Sequence, residues 1–196
     1  MPTVDSRISW IAVFFASLGT TWPAAKRTGS SGRSNHCLHP FDIPKGEIQT
    51  PFPANFNHQI QLLGVSVREV LEWPTSFEVT YYWQCLKKTE SNLRVFVHVT
   101  TPVGQTVYQQ DHWPLAGHLP TSRWEVGDVV RERYVMVLPG GLSPGRYQIR
   151  VGWFDPKGGP RLPVANPSGS DGEDRAPVAD VEVHRAPWYR WFSVEY

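Results

Sequence analysis

Ten consecutive residues, Ser76 to Cys85, alternate strictly in character. Phe77, Val79, Tyr81, Trp83 and Cys85 fall on one side, and Ser76, Glu78, Thr80, Tyr82 and Gln84 on the other. Only an extended strand sends successive side chains to opposite faces, so this run predicts a strand with one buried face. Two more runs obey the same period. Leu93, Val95, Val97 and Val99 alternate with Arg94, Phe96, His98 and Thr100, and Tyr147, Ile149, Val151 and Trp153 with Gln148, Arg150, Gly152 and Phe154.

Weaker strands fill the gaps. Residues 59–67 read QIQLLGVSV, an opening strand in which Gly64 marks a bulge or a close backbone approach. Residues 105–110 follow a Thr-Pro-Val-Gly turn and should form a hairpin with the Leu93 strand. Residues 128–138 place Tyr134, Met136 and Leu138 on one face, and residues 179–183 make a last strand. With 16 glycines and 18 prolines the chain is rich in turn formers, and no helical period competes. The expected fold is an all-β, antiparallel β-sandwich of about seven to eight strands over residues 54–184.

Outside this body the chain changes character. Residues 8–19, ISWIAVFFASLG, are apolar and follow Arg7. The length suits the core of a signal peptide, about 7–15 residues, and falls short of the ~20 that span a bilayer. Residues 1–25 are therefore expected to be a signal peptide or a short anchor, placing the sandwich outside the cytoplasm, in the periplasm or at the cell surface. Residues 26–53 read as a linker, rich first in Ser and Gly and then in Pro. Cys37 and Cys85 lie far apart in sequence; Cys85 continues an apolar face and reads as a small buried hydrophobe, with a disulfide between the two as the alternative. The formal net charge of +1 gives no reason to expect nucleic acid as a partner.

The body also carries ordered motifs. ANFNHQIQLLG is followed by VTYYWQCL, by VFVHVTTPVGQTVYQQDHWPLAGHLPTSRWEVGDVV and by LSPGRYQIRVGWFDPKGGPRLPV. In order and spacing they resemble the β-sandwich domain at the carboxyl end of many bacterial multi-pass membrane glycosyltransferases of the dolichyl-phosphate-mannose-dependent type. The resemblance covers residues 54–164 and implies a sandwich on the outer side of a membrane. It implies no catalytic residue, because the transferase chemistry of those enzymes lies in a membrane portion with no counterpart in these motifs.

Candidate sites sit in the loops. Residues 111–127 make a long crossover, the kind of segment that often carries function. Exposed aromatic rings can stack on the apolar face of a sugar while neighbouring charged groups bond its hydroxyls. Asp111, Trp113, Arg123 and Trp124 form the candidate ligand patch; Trp124, inside the P-T-S-x-W motif that the resemblance treats as framework, has plugging of the sandwich as its other reading. Trp83 and Trp153 fall on inward faces and read as core. His112 and His118 share no standard ligand spacing, and Asp171, Glu173 and Asp174 lack a calcium-loop spacing, so a solvated loop and no metal or other cofactor are expected. Ser122, His98 and Asp111 could be drawn as a triad, but no nucleophile elbow accompanies them. The tail, residues 185–196, crowds Trp188, Tyr189, Trp191, Phe192 and Tyr196 beside Arg185 and Arg190. Trp188, Tyr189, Arg190, Trp191 and Phe192 are expected to form an attachment element for a membrane or a membrane-protein partner, with folding back on the sandwich as the alternative. The functional expectation is a non-catalytic accessory or binding module for a glycan or glycolipid. The alternative is a structural subunit docked through its tail, and a hydrolase comes last.

Overall fold

The strand of residues 76–85 lies in the interior of a sheet, and its alternation is used on both sides. The computed structural model describes residues 37–38, 43–44, 46–71 and 74–185. Nine strands run in order through them: β1 (Cys37–Leu38), β2 (Thr50–Phe56), β3 (Ile60–Leu71), β4 (Ser76–Cys85), β5 (Arg94–Thr100), β6 (Thr106–His112), β7 (Val129–Val137), β8 (Gly145–Phe154) and β9 (Ala176–Val183). They form a five-stranded sheet of order β1-β7-β4-β3-β2 and a four-stranded sheet of order β6-β5-β8-β9, every pairing antiparallel. The antiparallel β-sandwich expected from the period-two runs is thus the fold, with β1 a two-residue addition at one edge. Among the described residues no helix is long and apolar enough to cross a membrane.

The inward faces meet in a core of large aromatics. Trp83 and Trp153 pack edge to face at 4.9 Å between ring centroids, Trp124 meets Trp153 at 5.9 Å, and Tyr81 stacks on Trp83 at 5.2 Å. Around them lie Val65, Val79, Val95, Val97, Val99, Ile149 and Val151, all fully buried. Cys85 is a free, buried thiol, its pKa pushed up to about 11 chiefly by burial.

Two stretches depart from expectation. The segment read as a linker contributes β2, which starts at Thr50. Pro51 and Pro53 are accommodated because β2 is an edge strand, bonded only to β3, and its register breaks between Pro51 and Ala54. Gly64 serves both roles anticipated for it. It follows a register shift in β3, and a Cβ there would sit 2.4 Å from Ile48 Cγ2 and 2.5 Å from the Thr50 carbonyl oxygen. The loop at residues 163–176, expected to be solvated, instead docks on the sandwich. Asn55 N–H donates to Asn166 Oδ1 at 2.6 Å, Asn166 Nδ2 donates to the Pro53 carbonyl at 2.7 Å, and Phe56 bridges to Val164. The apolar stretch at residues 8–19 and the tail residues Trp188, Tyr189, Arg190, Trp191 and Phe192 lie outside the described residues, as does the side chain of Cys37.

Candidate functional site

The outer face of the four-stranded sheet carries the polar partners of the period-two runs. Register places Arg94 beside Phe154, Phe96 between Asp111 and Gly152, and His98 between Gln109 and Arg150. The middle of this face is covered. Arg161 lies over the Phe96 ring at 4.3 Å, and Phe96 in turn lies over Gly152, where a Cβ would meet the ring at 2.2 Å. Next to it Asp171, only 5% exposed, takes hydrogen bonds from Arg150 and Arg175, while Arg175 also donates to His98 Nδ1 at 3.2 Å and to Thr106 at 3.3 Å. Burial opposes ionisation of Asp171, but the Glu173 N–H and the two guanidiniums outweigh it and hold the carboxyl below its usual range. His98 is held below the ordinary histidine value by burial, then by Arg161 and Arg175. The acidic cluster is therefore only partly a solvated loop: Asp171 is a buried member of an ion-pair network, while Glu173 stays exposed and reaches back to Arg175 at 2.7 Å. No group of three or more His, Cys, Asp and Glu suited to a metal occurs among the described residues.

The open part of the face lies at the start of β5, where the sequence patch is partly assembled. The Arg94 guanidinium sits 5.3 Å from the Trp113 ring centroid and 5.8 Å from that of Phe154, and donates to the Asp111 carbonyl at 3.1 Å. Trp113 is 39% exposed, an unusual position for an indole. Arg94 Nε and Asp111 Oδ1 are both buried without a partner. The group offers an aromatic face and a guanidinium, held by the Asp111 backbone carbonyl, within one small area.

Trp124 does not belong to it. That side chain is 1% exposed, its ring meets Trp153, and its Nε1–H donates to the Leu119 carbonyl at 3.1 Å. An indole closing the end of the sandwich satisfies its one donor internally, which is the plug reading of the P-T-S-x-W motif. Thr121 of that motif explains the rest: its hydroxyl accepts from Leu93 N–H and donates to the Ser91 carbonyl, each at 2.8 Å. Arg123 is exposed on the same short turn, and the contact with Trp113 is made by Arg94 instead.

The backbone that presents Trp113 is strained and pinned. Leu115 and Ala116 both adopt positive φ, 50° and 54°, which costs free energy in residues with a Cβ and persists only where surroundings enforce it. Glu132, on the inward face of β7 and 1% exposed, supplies the enforcement. Its Oε1 accepts from Leu115 N–H at 3.1 Å and its Oε2 from Trp83 Nε1–H at 2.8 Å. His112 stacks on Tyr134 at 3.8 Å and its Nε2 lies 3.1 Å from Glu132 Oε1, close but not aligned for a hydrogen bond. His112 thus joins the inter-sheet cluster, whereas His118 is exposed. The triad does not assemble, since His98 Nδ1 is taken by Arg175. Sequence reading missed Arg94, Phe154 and Glu132. All three follow from period two: the first two from outward faces already noted, the third by stepping back from Tyr134 on the β7 inward face.

No family model matches the chain, and no curated protein matches it. Among solved structures it is similar to the C-terminal domain of wzt, with 13% sequence identity and a TM-score of 0.43, over 76% of this chain and 90% of that one.

Proposed function

We propose that this chain is a non-catalytic module that binds a glycan or glycolipid on the outer face of its four-stranded sheet, on the extracytoplasmic side of a bacterial membrane. The observation that carries the reading is the Trp113–Arg94–Asp111 arrangement. The indole offers the apolar face on which a pyranose ring stacks, and the Arg94 guanidinium beside it supplies a donor for ring hydroxyls. The pinned loop supports it further, because a platform held before the ligand arrives loses little entropy on binding. The compartment rests on the apolar stretch at residues 8–19, and the resemblance of the motifs to domains of membrane glycosyltransferases agrees with it.

A glycan array probed with the full chain tests the reading. Binding to a set of glycans is expected, with loss of at least about tenfold in affinity for Trp113→Ala, roughly 1.4 kcal/mol, and an unchanged thermal melt. A blank array, or one that Trp113→Ala leaves as it was, contradicts it. Recovery of the chain with a stoichiometric membrane protein and no glycan would favour a structural subunit.

A further inference from the structure

Exposed apolar side chains concentrate at the other end of the sandwich. Register sets Leu71, Ser76 and Val137 side by side across the five-stranded sheet, with Ser76 buried between the two aliphatics and Arg68, Glu78 and Val135 forming the next outward row. Leu71, Val135 and Val137 are each about half exposed, as is Val70 beside them. The charges bordering this strip are unequal in reach. The side chains of Arg68 and Arg133 are 68% and 62% exposed, while Glu78, which pairs with both, is only 17% exposed. The β9 strand ends here too, where His184 Nε2 lies 3.2 Å from Glu69 Oε1. Arg94, Trp113 and Phe154 lie at the opposite end, since β5 begins at Arg94 and β8 ends at Phe154.

We propose that this strip of the five-stranded sheet is a docking face for an anionic lipid surface. A row of aliphatic side chains flanked by outstanding guanidiniums is the pattern that rests in the headgroup region, with chains toward the acyl boundary and cations on phosphate. The sequence that follows β9, residues 186–196, holds two Trp and two Tyr, residue types favoured at membrane interfaces, and one Arg. A second copy of the chain fits less well, because it would set the arginines of one face against those of the other. The inference extends the membrane-side reading above without using the Trp113 site.

Co-sedimentation of the full chain with vesicles of phosphatidylcholine, alone or mixed with phosphatidylglycerol, tests it. Binding is expected to the mixed vesicles, weakened about tenfold in Leu71→Asp/Val137→Asp and unchanged in Trp113→Ala. That last variant separates this proposal from the glycan reading. A nitrobenzoxadiazole label on Val137→Cys, in a Cys37→Ser background with Cys85 buried, reports on the strip itself. Its emission should shift to the blue only when mixed vesicles are added. Three results would overturn the proposal. The label stays in water while the chain sediments, or the aspartate pair sediments like the parent chain. Alternatively, the label is already blue-shifted without lipid and loses that shift when residues 186–196 are removed, which makes the tail the occupant.

Discussion

Glu132 is a carboxylate where the pattern of its strand calls for an aliphatic side chain. It stands between Val130 and Tyr134 on the inward face of β7, and two N–H donors make it tolerable there. Each hydrogen bond to a charged group is worth roughly 1.5–3 kcal/mol, and losing the acceptor leaves the donor buried and unpaired. Glu132→Ala is therefore expected to lower unfolding free energy by about 3 kcal/mol, read from urea denaturation. The Leu115 amide should also exchange its hydrogen faster. A stability change within about 0.5 kcal/mol with unaltered exchange would remove Glu132 from the role assigned to it. Asp171 makes a pH-dependent contribution. Its carboxyl is held below its unfolded value, near 3.9. The stability it adds is present in full above that value and lost as pH falls through the lower folded one. Asp171→Asn should thus be clearly less stable than the parent at pH 7, and the gap should narrow as pH falls below the unfolded value of an aspartate. A gap that stays constant with pH would contradict the ion-pair account.

The strands show why an exposed-face glycine can matter as much as a core residue. Gly152 lets the Phe96 ring lie against β8, and the Asp174 carbonyl would stand 2.7 Å from any Cβ there. Backbone cannot yield as a flexible side chain does, so Gly152→Ala should cost about 1–3 kcal/mol and loosen the segment at residues 155–175, visible as faster proteolysis within it. An alanine variant as stable and as resistant as the parent would mean that this covering is not packed as described. The elements themselves were legible in the sequence wherever residue types alternate along the strand, and in β5 this holds even though both of its faces are buried: β4, β5 and β8 each begin within one residue or two of their expected position. Strand β2 was not, because two prolines and a bulge erase the period, and only its place at a sheet edge makes it possible. The docked loop at residues 163–176 was also hidden, since its polar residues bond the sandwich through partners more than a hundred residues away in some cases, as Asn166 does with Asn55. Of the site, Asp111 and Trp113 were legible from the crossover loop. Arg94 and Phe154 come from strands in which only the inward face had drawn attention, and register alone brings them beside Trp113.

Taken whole, the described residues form a sandwich whose two ends differ. One end carries the half-exposed Trp113 with Arg94 and Phe154; the other carries Leu71, Val135 and Val137 and the start of the tail. A module that rests one end on a membrane and presents the other to a glycan would use both. The core between them is a block of aromatics, and Trp124→Ala should cost about 3–5 kcal/mol by leaving a cavity against Trp153. That variant tests stability, not binding, so the two tryptophans of the crossover loop can be told apart by experiment. The most direct measurement is an NMR titration of the full chain with the glycan that scores highest on the array, following the indole N–H and arginine Nε–H signals. Saturable shifts are expected at Trp113 Nε1–H and Arg94 Nε–H, with Trp83, Trp124 and Trp153 unmoved. Saturable shifts that spare Trp113 and Arg94, or no saturable shift at all, would contradict the claim that this chain reads glycans through that face.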